Sequence, residues 1–304
     1  MSIISVKNFS KSYGSVQAVK GISFEVEEGS LFAFLGPNGA GKSTTIEALT
    51  TLTKFSGGDV TINGFKLGRQ DSEIRKCIGV VFQQGVLDHQ MTVYENLVYR
   101  GKLYGFDDRK LKKRIEEVSE ITDIKEFWGQ KYGRMSGGQM RRVDIARAMI
   151  HTPKILFLDE PSTGVDPKTR MGIWNVINRM QKEMGMTVFL TTHYMDEVGD
   201  ADKVVIISKG LIVDEGTPAE LKAKYTKNHI LFYDGDSTLA GDLKARGFAV
   251  EDRADVITVT TDTDVDALAI LEEFKGRFAK FEVKMGTMDE MFVKLVALEE
   301  KQHV

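Results

Sequence analysis

Residues 36–44, Gly-Pro-Asn-Gly-Ala-Gly-Lys-Ser-Thr, fit the pattern G-x-x-x-x-G-K-[ST] and directly follow the apolar run Leu31–Leu35. A loop of this kind works only between a strand and a helix. Its glycines wind the backbone until N–H groups converge on phosphate oxygens, and the following helix start adds a favourable dipole. Leu31–Leu35 reads as a strand buried on both faces, and Thr44–Leu52 has helical character. Lys42 supplies charge for the β- and γ-phosphates, and the Ser43 hydroxyl is placed to ligate Mg²⁺.

The rest of the chain builds an architecture around that unit. Ile3–Phe9 and Ile22–Glu27 read as short strands with a turn at Lys11–Gly14 between them. Ile78–Phe82, Ile155–Leu158, Thr187–Thr191 and Val204–Ser208 are further apolar strands, and Pro167–Met184 reads as a helix. Strands alternating with helices predict an α/β fold on a mostly parallel sheet. The helix-rich stretch of about 84–151 predicts a subdomain set to one side, and its charge run DDRKLKKRIEEVSE predicts a solvated helix face. After Pro218 shorter strands alternate with two helices, and a helix over Met288–Glu300 follows, so 226–304 reads as a small α+β domain. Its acidic stretches, 234–236 and 262–266, lack the EF-hand spacing and predict solvated loops.

Composition narrows the class. Formal charge is 41 − 44 = −3, with no basic excess for nucleic acid. The apolar runs are strand-sized, far short of the roughly 20 residues of a spanning helix. The N-terminal residues lack the apolar stretch of a signal peptide. A single cysteine, Cys77, cannot form an internal disulfide and reads as a small buried apolar residue in a reducing compartment. A membrane partner remains compatible with all of this.

Two more patterns carry chemistry. Ile155–Leu158 ends in Asp159 and Glu160. A carboxylate at the end of a central strand can hold Mg²⁺ near the phosphate loop, and its neighbour can orient or deprotonate a water. Ser136-Gly137-Gly138-Gln139 opens a helix-like run with capping-box spacing; a glycine-rich capped start is also an anion site, so the pattern alone leaves cap and function both open.

Taken together, the motifs resemble those of the nucleotide-binding subunits of ATP-binding-cassette (ABC) transporters. Tyr13, Gly36–Thr44, Gln83, Ser136–Gln139, Ile155–Pro161, Asp166 and His193 run in that family's order, and the resemblance covers about residues 3–220. Ser136 lies 159 − 136 = 23 residues before Asp159, which is far more specific than the phosphate loop alone. The resemblance implies a P-loop NTPase-type cassette over 1–225, binding ATP and Mg²⁺. Gly36, Asn38, Gly39, Gly41, Lys42, Ser43 and Thr44 would hold the phosphates, and Tyr13 would stack on adenine. Ser43, Gln83 and Asp159 would attend the metal, Glu160 would be the general base, and Gln83 and His193 would act beside it. Ser136, Gly137, Gly138 and Gln139 would reach the nucleotide of an opposite subunit, with Asp166 on the loop that crosses to it. Two copies would then enclose two ATP molecules head to tail. Met135, Val165 and Phe82 stand where the family more often has Leu, Leu and Pro.

The ending GTMDEMFVKLVALEE and the segment THYMDE resemble exporters of the antibiotic-resistance and polysaccharide-export type. That implies a homodimer working with a separate transmembrane permease at the inner, cytoplasmic face of the cell membrane. The alternative is a soluble cassette ATPase acting on a ribosomal, DNA or assembly partner. A single cassette, no heptad insert and no basic face weigh against it.

Overall fold

The structure, a computed structural model, describes residues 1–253, 255–261 and 264–301. The chain divides into two compact units, Met1–Thr217 and one beginning at Pro218. Each is built separately.

The first unit opens with an antiparallel hairpin, β1 (Ser2–Tyr13) and β2 (Val16–Glu27). The ladder continues through Lys11↔Val19 and Tyr13↔Val16, so the turn falls later than Lys11–Gly14 and centres on Gly14, at φ 57°. Next come β3 (Leu31–Leu35), α1 (Lys42–Leu49), β4 (Gly57–Ile62), β5 (Phe65–Lys66), α2 (Asp71–Cys77) and β6 (Ile78–Val81). The helical portion contains α3 (Val93–Leu103), α4 (Asp108–Ile121) and α5 (Gly137–Met149). Thereafter β7 (Ile155–Asp159), α6 (Pro167–Met184), β8 (Thr187–Thr192), β9 (Lys203–Ser208) and β10 (Leu211–Gly216) complete the unit.

Six strands form the central sheet in the order β10-β9-β3-β8-β7-β6, and four form a second sheet, β2-β1-β4-β5. The central pairs β3/β8, β3/β9, β6/β7 and β7/β8 are parallel, and only β9/β10 is antiparallel. Every residue of β3 and β7 is buried, as continuous apolar runs demand of strands covered on both faces. Phe24 of β2 packs against Phe32 and Phe34 of β3, with ring centroids 5.4 and 5.5 Å apart, which welds the second sheet onto the first. Parallel alignment has a direct consequence for chemistry: β3, β6, β7 and β8 all deliver their C-terminal ends to one sheet edge, where α/β folds bind ligands.

Cys77 is half-buried, less enclosed than expected, and burial pushes its thiol pKa up. It is therefore a poor nucleophile.

The second unit starts with α7 (Pro218–Tyr225), then β11 (Asn228–Tyr233), α8 (Leu239–Ala245), β12 (Ala249–Arg253), β13 (Val256–Thr261), α9 (Asp264–Glu273), β14 (Lys280–Lys284) and α10 (Met288–Lys301). Its antiparallel sheet has the order β12-β13-β11-β14. The division at Thr217/Pro218 precedes the expected 225/226 boundary because α7 packs on α10 and so belongs to this unit. Stretch 234–236 is a loop with Asp234 and Asp236 exposed, as expected, and Arg277 ties it down, donating to Asp236 at 2.7 and 2.9 Å and pairing with Asp242 at 2.9 Å. Positions 262 and 263 lie outside the described residues, and 264–266 begin α9 instead of forming a loop.

Candidate active site

The phosphate loop spans the gap between β3 and α1, and its glycines are there for steric reasons. A Cβ on Gly36 would stand 2.2 Å from the Ile207 carbonyl oxygen. Gly41 caps α1 at φ 109°, a conformation that L side chains rarely adopt. The loop walls a cavity of about 450 Å³, which Asn38, Gly39, Gly41, Lys42, Ser43 and Thr44 line together with Gln83, Glu160, Thr163 and His193. With Ala18 of β2, five separate segments of the sequence thus line one cavity.

Lys42 is buried, and its ammonium donates to the carbonyls of Gly36 at 2.8 Å and Pro37 at 3.1 Å. It also lies 3.4 Å from Glu160 Oε1. Burial pulls the Lys42 pKa down, partly countered by Glu160 and Asp159. Burial pushes Glu160 up, but the Lys42 charge, the Thr163 hydroxyl and neighbouring His193 outweigh it and hold the carboxyl below its ordinary value. Glu160 Oε2 accepts from Gln83 Nε2 at 3.3 Å and Thr163 Oγ1 at 3.1 Å. His193 Nδ1 stands 3.3 Å from Glu160 Oε1, within ion-pair reach although not aligned for a hydrogen bond. The site therefore presents one ionised carboxylate between a fixed cation and an imidazole.

Asp159 sits one residue earlier, at the end of β7. Its Oδ1 accepts from Thr191 Oγ1 at 2.6 Å and Ser43 Oγ at 3.3 Å. Ser43 and Asp159 are hard oxygen donors converging at the mouth of the phosphate loop, a donor set that suits Mg²⁺ completed by phosphate and water.

Other predicted residues stand elsewhere. Ser136 is the N-cap of α5 and forms a true capping box: its N–H donates to Gln139 Oε1 at 2.9 Å, and Gln139 N–H donates to Ser136 Oγ at 3.4 Å. Ser136 and Gly137 are exposed, and none of Ser136–Gln139 lines the phosphate-loop cavity. Asp166 is exposed and caps α6 by accepting from Thr169 N–H at 3.0 Å; the Thr169 hydroxyl first, and then this N–H, hold its carboxyl below the usual range. Tyr13 lies outside the cavity lining too, 47% exposed, with the Lys11 ammonium 4.5 Å from its ring centroid.

Thr163 and Thr191 are site residues that the sequence reading passed over. Thr191 opposes Asp159 across the β7/β8 ladder, and its hydroxyl also accepts from the Glu160 N–H at 3.1 Å. That neighbourhood is created by strand register between distant segments, so no local spacing announces it. The doubled threonine at the end of the TVFLTT run was the only available signal.

A cassette with a phosphate loop, paired strand-end acids and a separate capped glycine helix start defines a nucleotide-binding ATPase of the ABC type. Residues 19–163 match the ABC transporter family, and residues 216–296 match the C-terminal domain of DrrA1-3-like ATP-binding proteins. The linearmycin resistance ATP-binding protein LnrL of Bacillus subtilis (strain 168) is 37% identical over 259 residues, covering 85% of this chain and 82% of its own. The daunorubicin/doxorubicin resistance ATP-binding protein DrrA of Streptomyces peucetius is 33% identical over 296 residues, 94% of this chain and 89% of its own. Among solved structures, the ATP-binding cassette MJ0796, a dimer in a post-hydrolysis state bound to ADP and Pi, aligns with TM-score 0.65 and 29% identity, covering 71% of this chain and 98% of that one. The chain belongs to the ATP-binding proteins of ABC transporters, in the branch that carries the DrrA-like C-terminal domain. It binds nucleotide and is an ATP-hydrolysing subunit of an ABC transporter.

Proposed function

We propose that two copies of the chain close head to tail around two molecules of Mg-ATP. They would drive a separate transmembrane permease at the inner face of the cell membrane to export an amphiphilic, antibiotic-like substrate. The observation that carries the closed dimer is the Ser136–Gln139 helix start, whose Ser136 and Gly137 are exposed, an anion-binding feature absent from its own chain's phosphate-loop cavity. A nucleotide held by one chain then needs the second chain to complete its γ-phosphate shell. The dimer of MJ0796 supports this arrangement. The substrate class follows from the linearmycin and daunorubicin/doxorubicin resistance named for the relatives. Among the described residues no helix is long and apolar enough to cross a membrane.

In the closed site, glycine N–H groups and Lys42 bind the β- and γ-phosphates, and Tyr13 offers an exposed ring to adenine. Magnesium, held by Ser43 and Asp159 with Gln83 at its edge, would neutralise phosphate charge. Glu160 accepts a proton as water oxygen bonds to the γ-phosphorus and the bond to the β–γ bridging oxygen breaks, leaving ADP and phosphate. An incoming γ-phosphate draws Lys42 away from Glu160 and sets its own negative charge beside that carboxylate. Both changes raise the carboxyl pKa, so basicity rises only when substrate is present. His193 steadies the γ-phosphate, Ser136–Gln139 of the second chain donate to it, and Asp166 reports across the interface.

The decisive experiment is affinity purification from detergent-solubilised native membranes. The expected result is a stoichiometric multi-span membrane protein. A ribosomal, DNA-bound or wholly soluble partner would overturn the export reading.

A further inference from the structure

Arg141 stands on the first turns of α5, five residues after Ser136, and its side chain turns inward, leaving the residue 7% exposed. Its guanidinium meets main-chain carbonyls. Nε donates to Pro161 O at 2.7 Å, and one terminal nitrogen donates to Asp159 O at 2.8 Å and Glu160 O at 2.9 Å. The other terminal nitrogen donates to Phe82 O, on the residue immediately before Gln83. All four acceptors belong to the strand ends that carry Gln83, Asp159 and Glu160.

The backbone held there is unusual. Glu160 has φ 46°, in the left-handed region that a residue with a side chain avoids. Such a conformation persists only where its surroundings over-determine it. Thr191 fixes the Glu160 N–H from one side, through its carbonyl at 3.1 Å and its hydroxyl at 3.1 Å. Arg141 fixes the carbonyls from the other. A planar fork with five N–H donors suits this task, whereas a lysine ammonium is a compact point donor that cannot span carbonyls on two strands.

We infer that Arg141 is a positioning residue of the ATPase reaction: its fork sets where the Gln83 and Glu160 side chains stand. Because α5 also carries Ser136 at its start, the same rigid helix links the hydrolytic end of one chain's site to the surface offered to the other chain's nucleotide. This inference rests on the proposed roles of Glu160 and Gln83.

The test compares Arg141→Lys with wild type, with Glu160→Gln, and with Arg142→Lys. Arg142 is the adjacent residue, whose guanidinium instead reaches the Asp123 carbonyl at 3.2 Å. Steady-state ATP hydrolysis is normalised to nucleotide sites counted by fluorescent-ATP titration. Arg141→Lys should lose at least tenfold in kcat, with KM for ATP and site count within twofold of wild type, and Arg142→Lys should match wild type. A merely structural role would lower site count or raise KM and leave kcat per site alone; that outcome overturns the proposal, as does an unchanged kcat. Where Arg141→Lys does not accumulate, Arg141→Gln is read by the same split between kcat, KM and site count. Glu160→Gln separates the two levels. Wild-type turnover in it removes the base assignment and this inference together, whereas a dead Glu160→Gln beside a normal Arg141→Lys sinks only the role of Arg141.

Discussion

Lys42 and Glu160 form a buried ion pair, with Lys42 Nζ 3.4 Å from Glu160 Oε1, whose value in the nucleotide-free protein is electrostatic. Burial disfavours each charge, yet each has additional partners: two carbonyls for Lys42, and Gln83 and Thr163 for Glu160. The folded-state pKa of Glu160 lies below its ordinary value of 4.5. The sign follows from proton linkage: a carboxyl that binds its proton more weakly when folded stabilises the fold above its unfolded pKa. That stabilisation fades as pH falls through the lower folded value. Glu160→Gln should therefore lower the Tm of the nucleotide-free protein near pH 7 by the equivalent of about 1–3 kcal/mol, the cost of leaving a buried charged group under-satisfied. The difference should shrink below pH 4.5 as the wild-type carboxyl takes up its proton. Thermal scans of both proteins from neutral to acid check this, and a gap that widens toward acid would contradict the assigned direction.

At the scale of elements, helices α5 and α6 begin side by side, and glycine makes the fit possible. A Cβ on Gly138 would lie 1.8 Å from Thr169 Cγ2, on the residue whose N–H binds the Asp166 cap. Gly138→Ala should overpack this junction and destabilise by about 1–3 kcal/mol. Thr169→Ser, which removes the clashing methyl, should restore most of it. Denaturant titration of the single and double variants measures the coupling, and equal loss in both would rule out the clash as the cause. This junction also marks the limit of what the sequence shows. The phosphate loop, the apolar central strands and the capping box at Ser136 were legible because each is a local pattern of glycine, apolar run or capping spacing. Helix α6 was legible to the residue for the same reason, with Asp166 and Pro167 at its start and Gly185 at its end. Thr191 beside Asp159, Arg141 across the strand ends and Thr169 against Gly138 are products of register and packing between distant segments. The short strands β4, β5, β10 and β12 also escaped, being too brief or too polar to read as apolar strands.

At the scale of the whole molecule, each of the two compact units has a core of its own among the described residues. The first is built on β1, β2 and the central sheet and supports the nucleotide site. The second gathers Ile230, Phe232, Leu239, Leu243, Val259 and Ile270 between its own sheet and helices, and Phe232 meets Phe278 at a ring separation of 4.7 Å. Separate cores should respond separately. A bound nucleotide stabilises only the unit that holds it, by about 2.7 kcal/mol at a hundredfold excess over Kd. Phe232→Ala empties a large side chain from the other core, at a cost of about 3–5 kcal/mol. Calorimetry of the full chain should therefore resolve two transitions: a non-hydrolysable ATP analogue raises one, and Phe232→Ala lowers the other. Nucleotide Kd should stay within about twofold of wild type, since Phe232 belongs to the core of the unit that does not carry the site. A single transition moved by both perturbations would mean that the units fold as one body. The C-terminal domain would then bear on the ATPase cycle directly, through the stability of the site itself.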